Sequence, residues 1–393
     1  MRYFLTLAFL GGLAAAAACS EDPSKEEEET EEEEEVTCES SDDCADLPDT
    51  PYCDQVCSKL PQGWQLGIEG GEAPTITQIF APEDALKSTD LEFNPSVPGE
   101  LWIVNALNDS VYIVHNAGEA DTTSEYKRDP AASHFMDRPP ALAFGEVVDP
   151  WGQTFGICGD SDNGGNFFMG PALFSADPSI FAVATDGGLG SHLDMLHSTS
   201  FCRGIAHLEN NQYFAFNSQK GSLDKYDFVI DHGPGNDDHS DGEIWRYAAG
   251  QVAGVDGIPS HLAYDAESKL LYVADTGNQR IAVLDTASGS MGSTFGGDEP
   301  VDRTNVDGST LTELVPAGTL QAPSGIEVSD GVIFVSDNAT SVIHAFDTTG
   351  APIRTLETGL AAGSLAGINF GPDGKLYFVD MQTSAVYRID PVL

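Results

Sequence analysis

One frame recurs along this chain, and a recurring frame limits the possible folds more than any composition does. Residues 270–285 read LLYVADTGNQRIAVLD, two alternating runs around the polar turn Thr276, Gly277, Asn278 and Gln279. Alternation on both sides of such a turn is the pattern of a tight β-hairpin. IFVSDNATSVIHAFD, ending at Asp347, and LYFVDMQTSAVYRID, ending at Asp390, repeat the frame. An Asp closes each first run (Asp275, Asp337, Asp380), and another closes the second run ten residues later. Looser copies begin at Leu101 and Tyr213, where Asn105 and Asn217 replace the first Asp.

A short apolar strand precedes each hairpin. Its central residue is Leu91, Leu142, Ile205, Leu262, Ile326 or Ile368, giving six units spaced 42 to 64 residues apart. One small sheet cannot bury both of its faces, so the units must pack against one another around an axis. The expected fold is all-β, a six-bladed β-propeller over residues 73–393. Blades four and five are expected to end in the outer strands MGSTFG, from Met291, and PIRTLE, from Pro352. The last unit stops at Leu393 after three strands, while residues 75–80, TITQIF, alternate ahead of blade one. That orphan run is expected to complete blade six and close the ring, removing an open sheet edge.

Residues 259–285 resemble an NHL repeat, whose pattern is a Pro, a small residue, an apolar pair and then L-Y-V-A-D-x-x-N-x-R-I. Arg280 supplies the Arg of that pattern, whereas Val342 and Val386 follow no such Arg in blades five and six. The resemblance covers roughly residues 75 to 393 and implies a scaffold that serves many functions.

The first sixty residues speak of location. Met1, Arg2 and an apolar run to Ala18 form a signal peptide, residues 1–18, too short to span a membrane. AAAACS at Cys19 resembles a lipobox, with Ala16 where Leu is more usual. The resemblance implies a lipidated Cys19; ordinary signal cleavage is the plainer alternative. Residues 19–37 are read as a disordered acidic tether, since 21–35 hold eleven carboxylates and one Lys. Calcium chelation by so floppy a polyanion would lack fixed geometry. In residues 38–57, Cys38, Cys44, Cys53 and Cys57 read as two disulfides with three possible connectivities. Zinc is the alternative, but the segment has no His. It resembles the small disulfide knots of bacterial lipoproteins. With Cys19 lipidated, Cys158 and Cys202 remain to pair, pinning blade two to blade three.

Beyond residue 60 there are 46 acidic and 14 basic residues, a formal charge of about −32. Phosphate contacts need Lys and Arg, so a nucleic-acid partner is not expected, and anionic membrane surfaces and polyanionic ligands are disfavoured for the same reason. The membrane is reached only through the lipid anchor. Cations or a basic partner are allowed, while a surface adapted to salty surroundings is the blander reading. A monomer is expected.

Chemistry concentrates between residues 190 and 261. His192 and His197 lie in SHLDMLH, His232 and His239 in DHGPGNDDHSDG, and His261 opens a blade-four strand. Residues 231–241 carry four Asp, two His, two Gly and a Pro, a composition that writes a projecting loop. Imidazole with carboxylate suits Zn, Fe, Mn or Cu, and a mostly carboxylate set suits Ca. The candidate ligands are His192, His197, Asp231, His232, His239, Asp241 and His261, for one divalent metal (Ca, Zn or Cu). The alternative is an acidic loop whose side chains only cap turns. His261 aligns with Asp90, Ala141, Gly204, Gly325 and Gly367, where inner strands begin beside the axis. Peptidyl-hydroxyglycine amidating lyases, which resemble NHL propellers, hold a catalytic zinc with His from several blades; here one blade offers His at that position. Arg203 is a candidate to bind a ligand carboxylate near the axis. The sequence contains no Gly-x-Ser-x-Gly elbow, P-loop, dinucleotide fingerprint or His-Glu-x-x-His.

The expected function is a binding or scaffold module, lipid-anchored outside the cytoplasm on the periplasmic face or the cell surface, for a protein, glycan or small ligand. The alternative is a metal-dependent lyase or hydrolase centred on the ring axis.

Overall fold

The computed structural model describes residues 52–53, 57–162, 169–297 and 299–393. The signal segment, Cys19, the tether, Cys38 and Cys44 lie outside the described residues, as do the side chains of Cys53 and Cys57. The chain divides into two units, Met1–Lys59 and Leu60–Leu393. In the first, Tyr52–Cys53 pairs antiparallel with Cys57–Ser58.

The second unit is a six-bladed propeller. The first four strands of each blade form an antiparallel set ordered from the axis outward. Blade one is Ser88–Phe93, Leu101–Asn105, Ser110–His115 and Thr123–Lys127; blade two is Leu142–Val148, Gly152–Ile157, Ala172–Ser175 and Asp194–Met195. Blade three runs Cys202–His207, Gln212–Asn217, Ser222–Asp227 and Glu243–Tyr247, and blade five Pro323–Ser329, Val332–Asp337, Val342–Asp347 and Pro352–Glu357. Blade six takes Leu365–Phe370, Leu376–Asp380 and Ala385–Asp390 from the end of the chain. Its fourth strand is Thr75–Phe80, paired as Ile389 with Ile76 and Tyr387 with Gln78. The ring is closed by the orphan run.

Period-two alternation explains why blades stack. In Leu270–Asp275, Leu271 and Val273 join Phe214 and Phe216 in the cluster between blades three and four. Tyr272 and Ala274, pointing the other way, join Ile333 and Val335 of blade five. The other four interfaces each have such a cluster. Fully burying one such side chain contributes about 1.5–3 kcal/mol. The recurrent Asp residues shape turns: Asp275 accepts from Ala253 N at 2.8 Å and from Arg280 Nε at 2.8 Å, and Asp337 from Gln321 N at 2.7 Å.

Blade four departs from the expected layout. Its inner strands are Leu262–Asp265, Leu270–Asp275 and Arg280–Asp285, but its outer strand is Thr310–Val315. Ser290–Thr294, expected in that place, pairs instead with Asp302–Asp307. Asp302–Asp307 in turn lies parallel to Glu243–Tyr247, extending blade three to six strands. The apolar residues of Thr310–Val315 are Leu311, Leu314 and Val315, which keep no strict period of two, so local pattern did not single that run out. Cys158 and Cys202 form a disulfide between blades two and three, a link worth about 2–4 kcal/mol.

Candidate metal centre

The centre forms where loops of blades two and three meet. His192 precedes the short outer strand Asp194–Met195, and the 231–241 loop is laced onto it by His232 N to Leu193 O (3.1 Å) and Gly235 N to His192 O (2.8 Å). The lacing depends on Gly235, φ 70°, where a Cβ would lie 2.1 Å from Thr185 Oγ1. Asp129 holds the preceding turn, accepting from Ser191 N at 2.8 Å and Ser191 Oγ at 2.6 Å. The His192 ring is fully buried and stacks on Phe135, centroids 3.7 Å apart, from the helix Ala132–Phe135.

His192, His232 and His239 each bring one ring nitrogen within 4.8 Å of the others. Their Nδ1 atoms are committed: His192 to Leu189 O (2.8 Å), His232 to Gly233 O (2.7 Å) and His239 to Glu299 Oε1 (3.1 Å). The acceptors fix the proton on Nδ1 and leave the lone pair on Nε2. All three Nε2 atoms are buried and have no hydrogen-bond partner among the described residues. Burial, then the neighbouring His232, drives the His192 pKa down to about 3, against the pull of the Leu189 carbonyl. Burial likewise lowers His232. With Nδ1 engaged and Nε2 unpartnered, the three imidazoles make a donor set for a d-block cation.

Glu299 ties the group together. It touches His197 Nδ1 at 2.8 Å as well as His239, accepts from His197 N at 2.9 Å, and meets Arg303 Nη2 at 3.3 Å. Burial alone would raise this carboxyl; the hydrogen bonds from His197 and His239 outweigh it and hold the pKa near 2. Arg303 lies on the strand Asp302–Asp307, so the displaced hairpin of blade four carries both residues to the site. A lone Glu in so acidic a chain gave no sequence signal. Asp194, fully buried, leaves Oδ2 unpartnered and is pushed by burial to about 9, but it stands outside the three-histidine group.

The remaining candidates stand elsewhere. His197 serves Glu299. Asp231 accepts from Trp151 Nε1 at 2.6 Å and Gly233 N at 3.1 Å, and Asp241 from Ile230 N at 3.2 Å, so both shape the loop. Arg203, the candidate for a ligand carboxylate, is buried against Asp160 and lies 3.3 Å from Asp256, so two carboxylates of the chain already engage it. His261 belongs to the axis. Its Nε2 meets Pro140 O at 3.0 Å and its Nδ1 lies 3.5 Å from Asp90 Oδ1, reaching from blade four to blades two and one. At the equivalent Gly204 and Gly367 a Cβ would clash at 2.2 and 2.3 Å with the next blade. Below His261 the six inner strands enclose a cavity of about 270 Å³ lined by Asp90, Glu92, Glu327 and Asn369. Burial raises all three carboxyls, Glu327 to about 8, and neighbouring carboxylates add to the rise of Glu92 and Glu327.

No family model and no curated protein sequence matches the chain. Its fold is similar to that of a luciferin-regenerating enzyme, 11% identical with TM-score 0.52, over 81% of this chain and 95% of that one. It is similar also to an auxiliary nutrient binding protein from Bacteroides thetaiotaomicron, 10% identical with TM-score 0.51, over 86% of this chain and 78% of the other. A further Bacteroides thetaiotaomicron protein, of unknown function, is 9% identical with TM-score 0.52, over 86% and 78%. At such identities the likeness establishes the six-bladed propeller and nothing finer.

Proposed function

We propose that this protein is an exported, lipid-anchored propeller of NHL type that binds one transition-metal ion at His192, His232 and His239. The carrying observation is a group of three imidazoles, each with one ring nitrogen within 4.8 Å of the others, whose buried Nε2 atoms have no partner among the described residues and whose Nδ1 atoms are all bonded to oxygen. Zinc or copper suits this set; calcium, which takes oxygen ligands, does not. Nitrogens around tetrahedral zinc stand about 3.3 Å apart, so small ring rotations bring the group onto an ion. Export is supported by the signal-like leader, the lipobox-like Cys19 and the Cys158–Cys202 disulfide, since such bonds persist in oxidising compartments. A binding role at the envelope follows from the anchor.

Three protein ligands with a fourth position open is the count of catalytic zinc sites, which favours a metal-dependent hydrolase or lyase as the second reading. Its centre would stand at the outer strands of blades two and three rather than on the axis. Elemental analysis of purified protein after dialysis tests the proposal. About one equivalent of zinc or copper is expected, lost when His232 and His239 are both replaced by Ala and kept in His261→Ala. Metal-free protein that takes up neither ion, or calcium alone, would overturn it.

A further inference from the structure

A second cavity, of about 230 Å³, opens at the mouth of the ring, independent of the metal centre. Thr89, Pro140 and Pro259 line it where the inner strands of blades one, two and four begin. That volume is below the range of about 300–1,000 Å³ usual for drug-sized ligands and suits a molecule of amino-acid size.

Two cations reach it. Lys87 and Arg138 line the cavity, and neither has a carboxylate within ion-pair distance among the described residues. The Lys87 ammonium lies over Gly257, 3.3 Å from where a Cβ would stand. Both are presented from pinned backbone: Lys87 O accepts from Ala106 N at 3.0 Å, and Arg138 N donates to Asp109 Oδ1 at 2.9 Å. In a domain with three times more acidic than basic residues, two such cations at one cavity are a marked feature.

The wall also offers an acceptor. Asp160 is 8% exposed; its Oδ2 binds Arg203, while its buried Oδ1 has no partner among the described residues. Burial lifts this carboxyl to about 6 against the opposing charges of Arg203, Arg138 and Lys87, with the lining Asp256 adding repulsion. A buried acceptor without a donor is costly unless a ligand supplies one. Leu107 and Ile258 add an apolar side to the cavity.

We propose that this cavity binds a small zwitterion of α-amino-acid type with an apolar side chain. Its carboxylate meets Lys87 and Arg138, its ammonium donates to Asp160 Oδ1, and its side chain lies against Leu107 and Ile258. Calorimetric titration of the full chain with L-leucine tests this. Saturable binding is expected, weakened about tenfold or more by joint Lys87→Ala and Arg138→Ala replacement, the loss of charge-assisted hydrogen bonds. Isocaproate, which lacks the ammonium, and isopentylamine, which lacks the carboxylate, should each bind at least about tenfold more weakly than leucine. Asp160→Asn should weaken leucine as well. Because that change also disturbs Arg203, the lysine–arginine pair carries the decision, with an unchanged melting temperature as its control. Absence of saturable leucine binding, undiminished binding by the double variant, or isocaproate binding as tightly as leucine would each overturn the proposal.

Discussion

At the axis, six inner strands place matching positions around one cavity of about 270 Å³, and its polar lining includes Asp90, Glu92, Glu327 and Asn369 beside His261. At the outer strands of blades two and three, segments that match no repeat position bring together His192, His232, His239 and Glu299. The axial side chains are satisfied by the scaffold: Glu92 accepts from Phe144 N at 2.8 Å, Glu327 from Asn369 Nδ2 at 3.1 Å, and His261 bridges three blades. The outer imidazoles are not, since each keeps a buried nitrogen without a partner among the described residues. The repeat builds a self-contained frame, and the insertions hold the groups left open for something else. Long loops on a rigid scaffold carry function for that reason.

The largest effect that separates the two regions should come from the frame. Removing residues 73–81 takes away the strand that closes blade six, exposes the edge of Ala385–Asp390, and should lower the melting temperature on the order of 10 °C. An unchanged melt would mean that closure contributes little. In the outer region, Glu299→Gln keeps the shape but weakens the acceptor that orients His239. Zinc affinity should fall about 10- to 100-fold, and the metal-free protein should melt lower as well, because Glu299 also binds His197 and Arg303. Equal affinity in the variant would reduce Glu299 to a packing role.

The smallest effect concerns the axis and pH. Glu327 is partly reachable from the cavity yet surrounded by protein, and burial raises it from 4.5 to about 8, with Asp90 adding repulsion. The folded chain therefore holds this proton more tightly than the unfolded chain does. Stability from the neutral form is present at low pH and is lost as pH rises from about 4.5 through about 8. Glu327→Gln should flatten urea-midpoint curves between those limits and leave zinc binding unaltered. Asp90 and Glu92, raised for the same reason, keep part of the slope. A variant whose curve matches the parent would show that Glu327 is ionised throughout.

Hairpin alternation, the six central residues from Leu91 to Ile368 and the orphan run 75–80 were enough to specify blade number and closure, because each depends on period-two burial that is local to a strand. The histidine-rich stretch was also visible, since composition marks an inserted loop. Tertiary structure alone decided which of its residues converge. Asp231 and Asp241 went to turn hydrogen bonds, His261 went to the axis, and three imidazoles were left facing one another. It decided as well that Ser290–Thr294 leaves blade four and that Glu299, sixty residues beyond His239, arrives with it. Alternation states which face of a strand is buried, but not which neighbour buries it; that choice belongs to packing between blades, and so does the site it brings together.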